Sequence, residues 1–181
     1  MRCLLVGVQL SWVAVLAGCG SSTPAVATRV LDPQASAFAR TPVCFLPGRA
    51  DADLIERDRQ ARIDALCQSA AADEGVVVVP FGSQECLPVT LLWQVADTGR
   101  REGDCNRTLL GAECRSNAVH RKSLKVVLAR PNTSQAVIET LAAIDSNFGG
   151  FSEKSFRALC SAAFHEYPHP LRSEHFSVSV D

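Results

Sequence analysis

LKVVLARPNTSQAVIETLAA, residues 124–143, decides the reading of the fold. Leu124 to Ala129 and Gln135 to Ala143 are aliphatic and β-branched. Arg130-Pro131-Asn132-Thr133-Ser134 between them is turn chemistry, in which Pro131 presets φ, Asn132 tolerates the left-handed region and the hydroxyls bond nearby backbone. The stretch predicts a β-hairpin, ended by Asn147-Phe148-Gly149-Gly150. Ser152 then caps a helix whose Phe156, Leu159, Cys160, Ala163, Phe164 and Tyr167 recur at helical spacing. That stripe has to be buried against the sheet.

Upstream, Val89, Leu91, Trp93 and Val95 alternate with Thr90, Leu92, Gln94 and Ala96, the period of a half-buried strand. Residues 97–119 are rich in Gly, Arg, Asp and Asn and read as a long connection or extended hairpin tip. Asp51 to about Asp73 favours helix: Asp53 and Glu56 suit the first turn, Asp58 and Arg62 pair at i,i+4, and Ile63, Leu66, Cys67 and Ala70 form the apolar stripe. Gly75 is its stop. Val76 to Val79 reads as a strand covered on both faces, closed by Pro80 and Gly82. Thr41 to Pro47 is a further strand with prolines at its ends, and Val26 to Leu31 an edge strand stopped by Asp32-Pro33. The order β-α-β-β-β-α predicts an α+β fold: a mixed β-sheet of about four to five strands with two helices packed on one face, the first helix forming a parallel crossover.

The 181 residues are 47% apolar and 20% charged, ordinary for one globular domain. A formal charge of −1 gives no general attraction for nucleic acid or anionic lipid, so no nucleic-acid partner is expected.

The N-terminus carries an address. Behind Arg2 runs a stretch of about 15 apolar residues, the length of a signal h-region and short of the roughly 20 that span a bilayer. It ends in Leu16-Ala17-Gly18-Cys19, which resembles the lipobox of bacterial lipoproteins, followed by the polar Gly20-Ser21-Ser22-Thr23-Pro24. The resemblance implies cleavage before Cys19 and acylation of its thiol and new amino group, which supplies the two or more chains that stable anchoring needs. Gly20 in the next position is not the aspartate associated with inner-membrane retention, so the expected address is the periplasmic face of the outer membrane. The expected organisation is a signal peptide over 1–18, a tether over 19–28, and a domain over 29–181 with a C-terminal tail from about residue 168. The competing reading is a secretory peptide cut near Ala25-Val26-Ala27, which releases a soluble binding protein.

Of the eight cysteines, Cys3 leaves with the signal and Cys19 takes lipid, leaving Cys44, Cys67, Cys86, Cys105, Cys114 and Cys160. An even set in an oxidising compartment reads as disulfides. Cys105 and Cys114 are the first choice of pair, closing a polar loop of about ten residues at low entropic cost. Cys67 and Cys160, both on buried helical stripes, form a second candidate if the helices pack side by side. Cys44 and Cys86 remain candidates, and the sequence alone does not choose the connectivity. No Cys-x-x-Cys spacing supports a redox centre or zinc ribbon.

Asp32-Pro33 with Ala37-Phe38, Val43 to Pro47, the Gly-Val-Val-Val-Val run, the 124–143 hairpin and the last helix ending in Tyr167-Pro168 together resemble a family of small Gram-negative envelope lipoproteins of uncharacterised function. Their domain is similar in layout to the α/β domain preceding the propeller of the Tol periplasmic protein. The cysteines and residues 97–119 depart from that pattern. The resemblance implies a location and a fold and carries over no catalytic residues.

His165-Glu166-Tyr167-Pro168-His169 fits H-E-x-x-H by letter, and His175 stands where a third zinc ligand would. The motif needs both histidines on one helical face with the glutamate activating a metal-bound water. Pro168 ends the helix inside the quartet, Pro170 extends the chain beyond it, and Arg172 replaces the turn glycine. The expectation is therefore no metal and no cofactor beyond lipid on Cys19, with a zinc-dependent hydrolase on His165, His169, His175 and Glu166 as the rival. No Gly-x-Ser-x-Gly elbow is present. His120-Arg121-Lys122 with Lys125, and Arg100-Arg101, read as solvated charge. The functional expectation is a lipid-anchored binding or envelope-assembly accessory module without catalysis, contacting the membrane through its anchor and a protein partner in the envelope.

Overall fold

In the computed structural model the described residues are 24–38, 40–48, 53–83, 85–108, 111–165, 167 and 175–177, without the side chains of 104–115 and 175–177. The elements are β1 (Ala25–Val30), a 3-10 turn (Ala35–Phe38), β2 (Val43–Phe45), α1 (Leu54–Asp73), β3 (Leu87–Thr108), β4 (Gly111–Ala129), β5 (Ala136–Ser146), α2 (Glu153–Phe164) and β6 (His175–Ser177). The strands form one mixed sheet in the order β2-β3-β4-β5-β1-β6. Only β2 and β3 run parallel, joined through α1; every other pair is antiparallel. The fold is α+β, a mixed sheet of six described strands, β2 and β6 only three residues long, with two helices on one face.

The 124–143 hairpin lies at the centre. Leu124, Val126 and Leu128 of β4 pair across to Ala142, Thr140 and Ile138 of β5, so one face of both strands is aliphatic. Leu87, Val89 and Leu91 of β3 and Val26 of β1 continue that face. Against it pack Ile63, Leu66 and Ala70 of α1 and Phe156, Leu159 and Phe164 of α2. Asp53 caps α1 by accepting from Glu56 N at 2.7 Å, and Gly75 at φ 81° lets the chain turn off its end. Ser152 caps α2 by accepting from Ser155 N. The one polar cross-strand pair buried in this face, Thr28 and Thr140, satisfies itself hydroxyl to hydroxyl at 3.2 Å.

Three expectations need correction. Val76 to Val79 is not a covered strand. Only Val78 bridges, in parallel, to Val43, whose amide donates to Val77 O and whose carbonyl accepts from Val79 N, both at 2.9 Å. The pairing goes no further, so the run stays a short flap outside β2 with Val77 59% exposed. Residues 97–119 take the second of the two expected forms, an extended hairpin tip. After a register shift between Asp97 and Arg101 the β3–β4 ladder resumes and continues to Thr108 and Gly111, as a two-stranded ribbon beyond the rest of the sheet. Polar residues make the shift: Thr98 Oγ1 donates to Val119 O at 2.6 Å, Asp97 Oδ1 accepts from Gly99 N, and Gly99 takes φ 70°. The tether expected to reach residue 28 ends sooner, because Ala25 already pairs with Ala143. The expected tail from about residue 168 includes β6, which pairs with Ala25–Ala27.

Candidate ligand groove

The helices cover one face of the sheet and leave the other open. At the end of that open face near the β4–β5 turn, a groove of about 890 Å³ lies between the 80–86 segment and residues 131–134. Thr90 and Val127, paired across β3 and β4, belong to its floor. Phe81, 58% exposed, belongs to one wall, and Asn132, Thr133 and Ser134 form the other.

Each wall has a physical cause. The 80–86 segment is fastened by the Cys44–Cys86 disulfide, and Ser83 Oγ donates to Pro80 O at 2.7 Å to close its turn. Among the described residues only two non-glycines have positive φ, Glu85 at 64° and Asn132 at 60°, and both line this groove, as does Gly82 at 91°. Left-handed backbone costs a side-chain-bearing residue free energy, less for asparagine than for most. The opposite wall is held by Arg130, whose guanidinium binds the Asp32 carboxylate while Arg130 N donates to Gln135 O at 2.9 Å. The rim is therefore rigid and polar, with an exposed aromatic ring.

Farther along the open face the charges are paired. Lys125 Nζ lies 2.8 Å from Glu139 Oε1, and Arg121 Nε donates to Asp145 Oδ1 at 2.8 Å, which holds the Asp145 carboxyl below its ordinary range. On the covered face, Lys122 is wholly out of solvent. Its Nζ lies 3.4 Å from Ser155 Oγ and 5.2 Å from the centre of the Phe148 ring, and desolvation lowers its pKa.

The candidate residues are placed as follows. Cys67 of α1 and Cys160 of α2 form a disulfide across the helix pair, and Cys44 is joined to Cys86. Cys105 and Cys114 are direct partners in the β3–β4 ladder, so they sit in a strand pair rather than at the ends of a polar loop. Cys19, Glu166 and His169 lie outside the described residues. α2 ends at Phe164, and His165 at its C-cap holds Glu74 Oε2 at 3.0 Å through Nδ1, while Ser161 Oγ donates to the other Glu74 oxygen at 2.7 Å. His175 falls in β6, opposite Ala27. Among the described residues no group of three or more His, Cys, Asp or Glu side chains is placed to hold a metal ion.

The groove was not visible as a site in the sequence, where Pro80 and Gly82 mark only a strand end and residues 130–134 only a turn. The available signal was an exposed-type turn holding a phenylalanine, Pro80-Phe81-Gly82, beside a cysteine.

No family model and no curated protein matches this chain. Among solved structures it is similar to a PDZ domain protein from Parabacteroides distasonis, at 9% sequence identity and a TM-score of 0.49, over 86% of this chain and 39% of that one. The chain thus spans about two fifths of the length of that structure.

Proposed function

We propose that this chain is an outer-membrane lipoprotein, acylated at Cys19, whose α+β domain works on the periplasmic face by binding rather than by catalysis, as in the small Gram-negative envelope lipoproteins that the sequence resembles. The observation that carries the reading is Leu16-Ala17-Gly18-Cys19 at the end of an apolar run and directly before a polar tether. Two disulfides in the domain fit an oxidising compartment. β1 begins at Ala25, so residues 20–24 alone separate Cys19 from folded structure, a reach of under about 20 Å. The domain would sit close to the bilayer with a protein partner in the envelope. Its groove lies at the end of β5 that pairs with Val30, away from the end that pairs with Ala25, and so faces away from the anchor.

Metabolic labelling with a fatty-acid analogue tests the anchor. Label is expected on the wild-type chain and absent from Cys19→Ala; a wild-type chain that is unlabelled and soluble overturns the reading.

A further inference from the structure

We infer that the groove over Thr90 and Val127 takes an uncharged, hydroxyl-rich ligand of the oligosaccharide class, with the Phe81 ring as its stacking face. This deepens the binding reading above by naming what the domain binds.

Ligand chemistry follows from what the groove offers and lacks. Among the described residues that line it there is no lysine or arginine, and Glu85 is the one carboxylate, so phosphates, nucleic acid and acidic peptides find no counter-charge there. The floor strands are paired to each other, Thr90 to Val127, so they present a sheet face and no free backbone ladder to an extended peptide. Polar capacity is nonetheless present and unspent. Among the described residues the side chains of Thr90, Glu85, Asn132 and Ser134 make no hydrogen bond within the protein, and together they offer hydroxyl, carboxylate and amide groups. Phe81 stacks on no other ring among the described residues and keeps its face open.

An aromatic face beside amide, hydroxyl and carboxylate groups matches a pyranose, whose C–H face is apolar and whose edge is a ring of hydroxyls. The volume, about 890 Å³, suits an extended ligand better than one sugar ring. The walls are held before any ligand arrives by the Cys44–Cys86 disulfide and the Asp32–Arg130 contact, so little ordering remains to oppose binding.

The full chain, purified from a detergent extract of whole cells, is titrated by saturation-transfer NMR with three probes: a β-linked N-acetylglucosamine oligomer, a glucose oligomer and a proline-rich peptide. Saturable binding of a sugar is expected. Preference for the first probe assigns the ligand to cell-wall-type amino-sugar polymers, and preference for the second to plain glucans. Phe81→Ala should weaken binding about tenfold. Asn132→Gly should weaken it several-fold, since glycine keeps the left-handed backbone and removes only the amide. Absence of sugar binding, binding unchanged in both variants with native melting curves, or binding of the peptide alone overturns the inference. Mass spectrometry on the same samples reads Cys19. An acylated chain that binds no sugar overturns the ligand class and leaves the anchor standing, and an unacylated chain that binds sugar does the reverse.

Discussion

Arg130 grips one carboxylate oxygen of Asp32 twice: its Nε and one terminal guanidinium nitrogen each lie 2.6 Å from Oδ2. The other oxygen, Oδ1, accepts from Gln34 N at 2.9 Å, and the guanidinium lies over the Phe38 ring. The contact closes a gap of 98 residues and ties the end of β1 to the turn that walls the groove.

The Arg130 guanidinium is the main reason that Asp32 sits below its ordinary carboxylate value of 3.8. A folded pKa depressed in this way contributes stability above the unfolded value, and that contribution is lost as pH falls through the folded one. Thermal melts followed by circular dichroism should show stability declining below about pH 4. Asp32→Asn should lower the melting temperature at neutral pH and flatten that acid limb, and an unaltered limb would contradict the assignment.

Lys122 is among the largest side chains fully buried in the described residues, with Ser155 and Phe148 as its polar and aromatic neighbours. Burial lowers its pKa, so the charged form costs stability at neutral pH and the cost eases as pH rises through the folded value. Lys122→Met keeps the volume and removes the charge, and should stabilise by about 1 kcal/mol or more. Lys122→Ala leaves a cavity and should destabilise by about 2 kcal/mol. Urea unfolding of both variants checks the pair of signs.

The disulfides close segments of 42 and 93 residues, for which chain entropy predicts roughly 4 kcal/mol each. Replacing both Cys67 and Cys160 with serine should therefore lower the melting temperature by many degrees. Cys105 and Cys114 are cross-strand partners, and antiparallel partners have a Cα spacing of about 5 Å, within disulfide range. A third bridge is expected there. Thiol titration of the denatured, unreduced chain lacking residues 1–19 should find no free thiol, and two would exclude that bridge.

The Tyr167 hydroxyl lies 3.1 Å from Thr41 O and 3.4 Å from Phe38 O, both acceptors, and burial pushes its pKa up to about 12. With the folded value above the unfolded one, its contribution is complete below about pH 10 and lost as pH rises toward 12. Tyr167→Phe should cost about 1 kcal/mol at neutral pH by removing the donor to Thr41 O, since Phe38 O still accepts from Thr41 N, and should blunt the alkaline decline. Melts between pH 7 and 11 measure both.

Where apolar period and turn chemistry agree, the fold was legible. The 124–143 hairpin, the Ser152 cap, the Asp53 start and the Gly75 stop all follow from local preference confirmed by burial. Legibility failed where a partner outside the local stretch decides. The β3–β4 ribbon shows no apolar period, so the sequence leaves it open between a connection and a hairpin tip, and the ladder decides. Val76 to Val79 has the strongest strand composition in the chain, yet at the sheet edge it makes one bridge. The groove depends on Asp32 meeting Arg130 and Cys44 meeting Cys86, long-range pairings that no window of sequence contains.

β1 lies between β5 and β6, with its N-terminal end at Ala25 and its far end, Val30, toward the groove. A pull applied at Ala25 against a load at the groove end of the sheet would act along β1. Its six-residue register with β5 would be loaded in shear, all its rungs sharing the strain, instead of being peeled rung by rung. Tension entering the sheet at Ala25 is therefore carried by six rungs at once and not by one at a time.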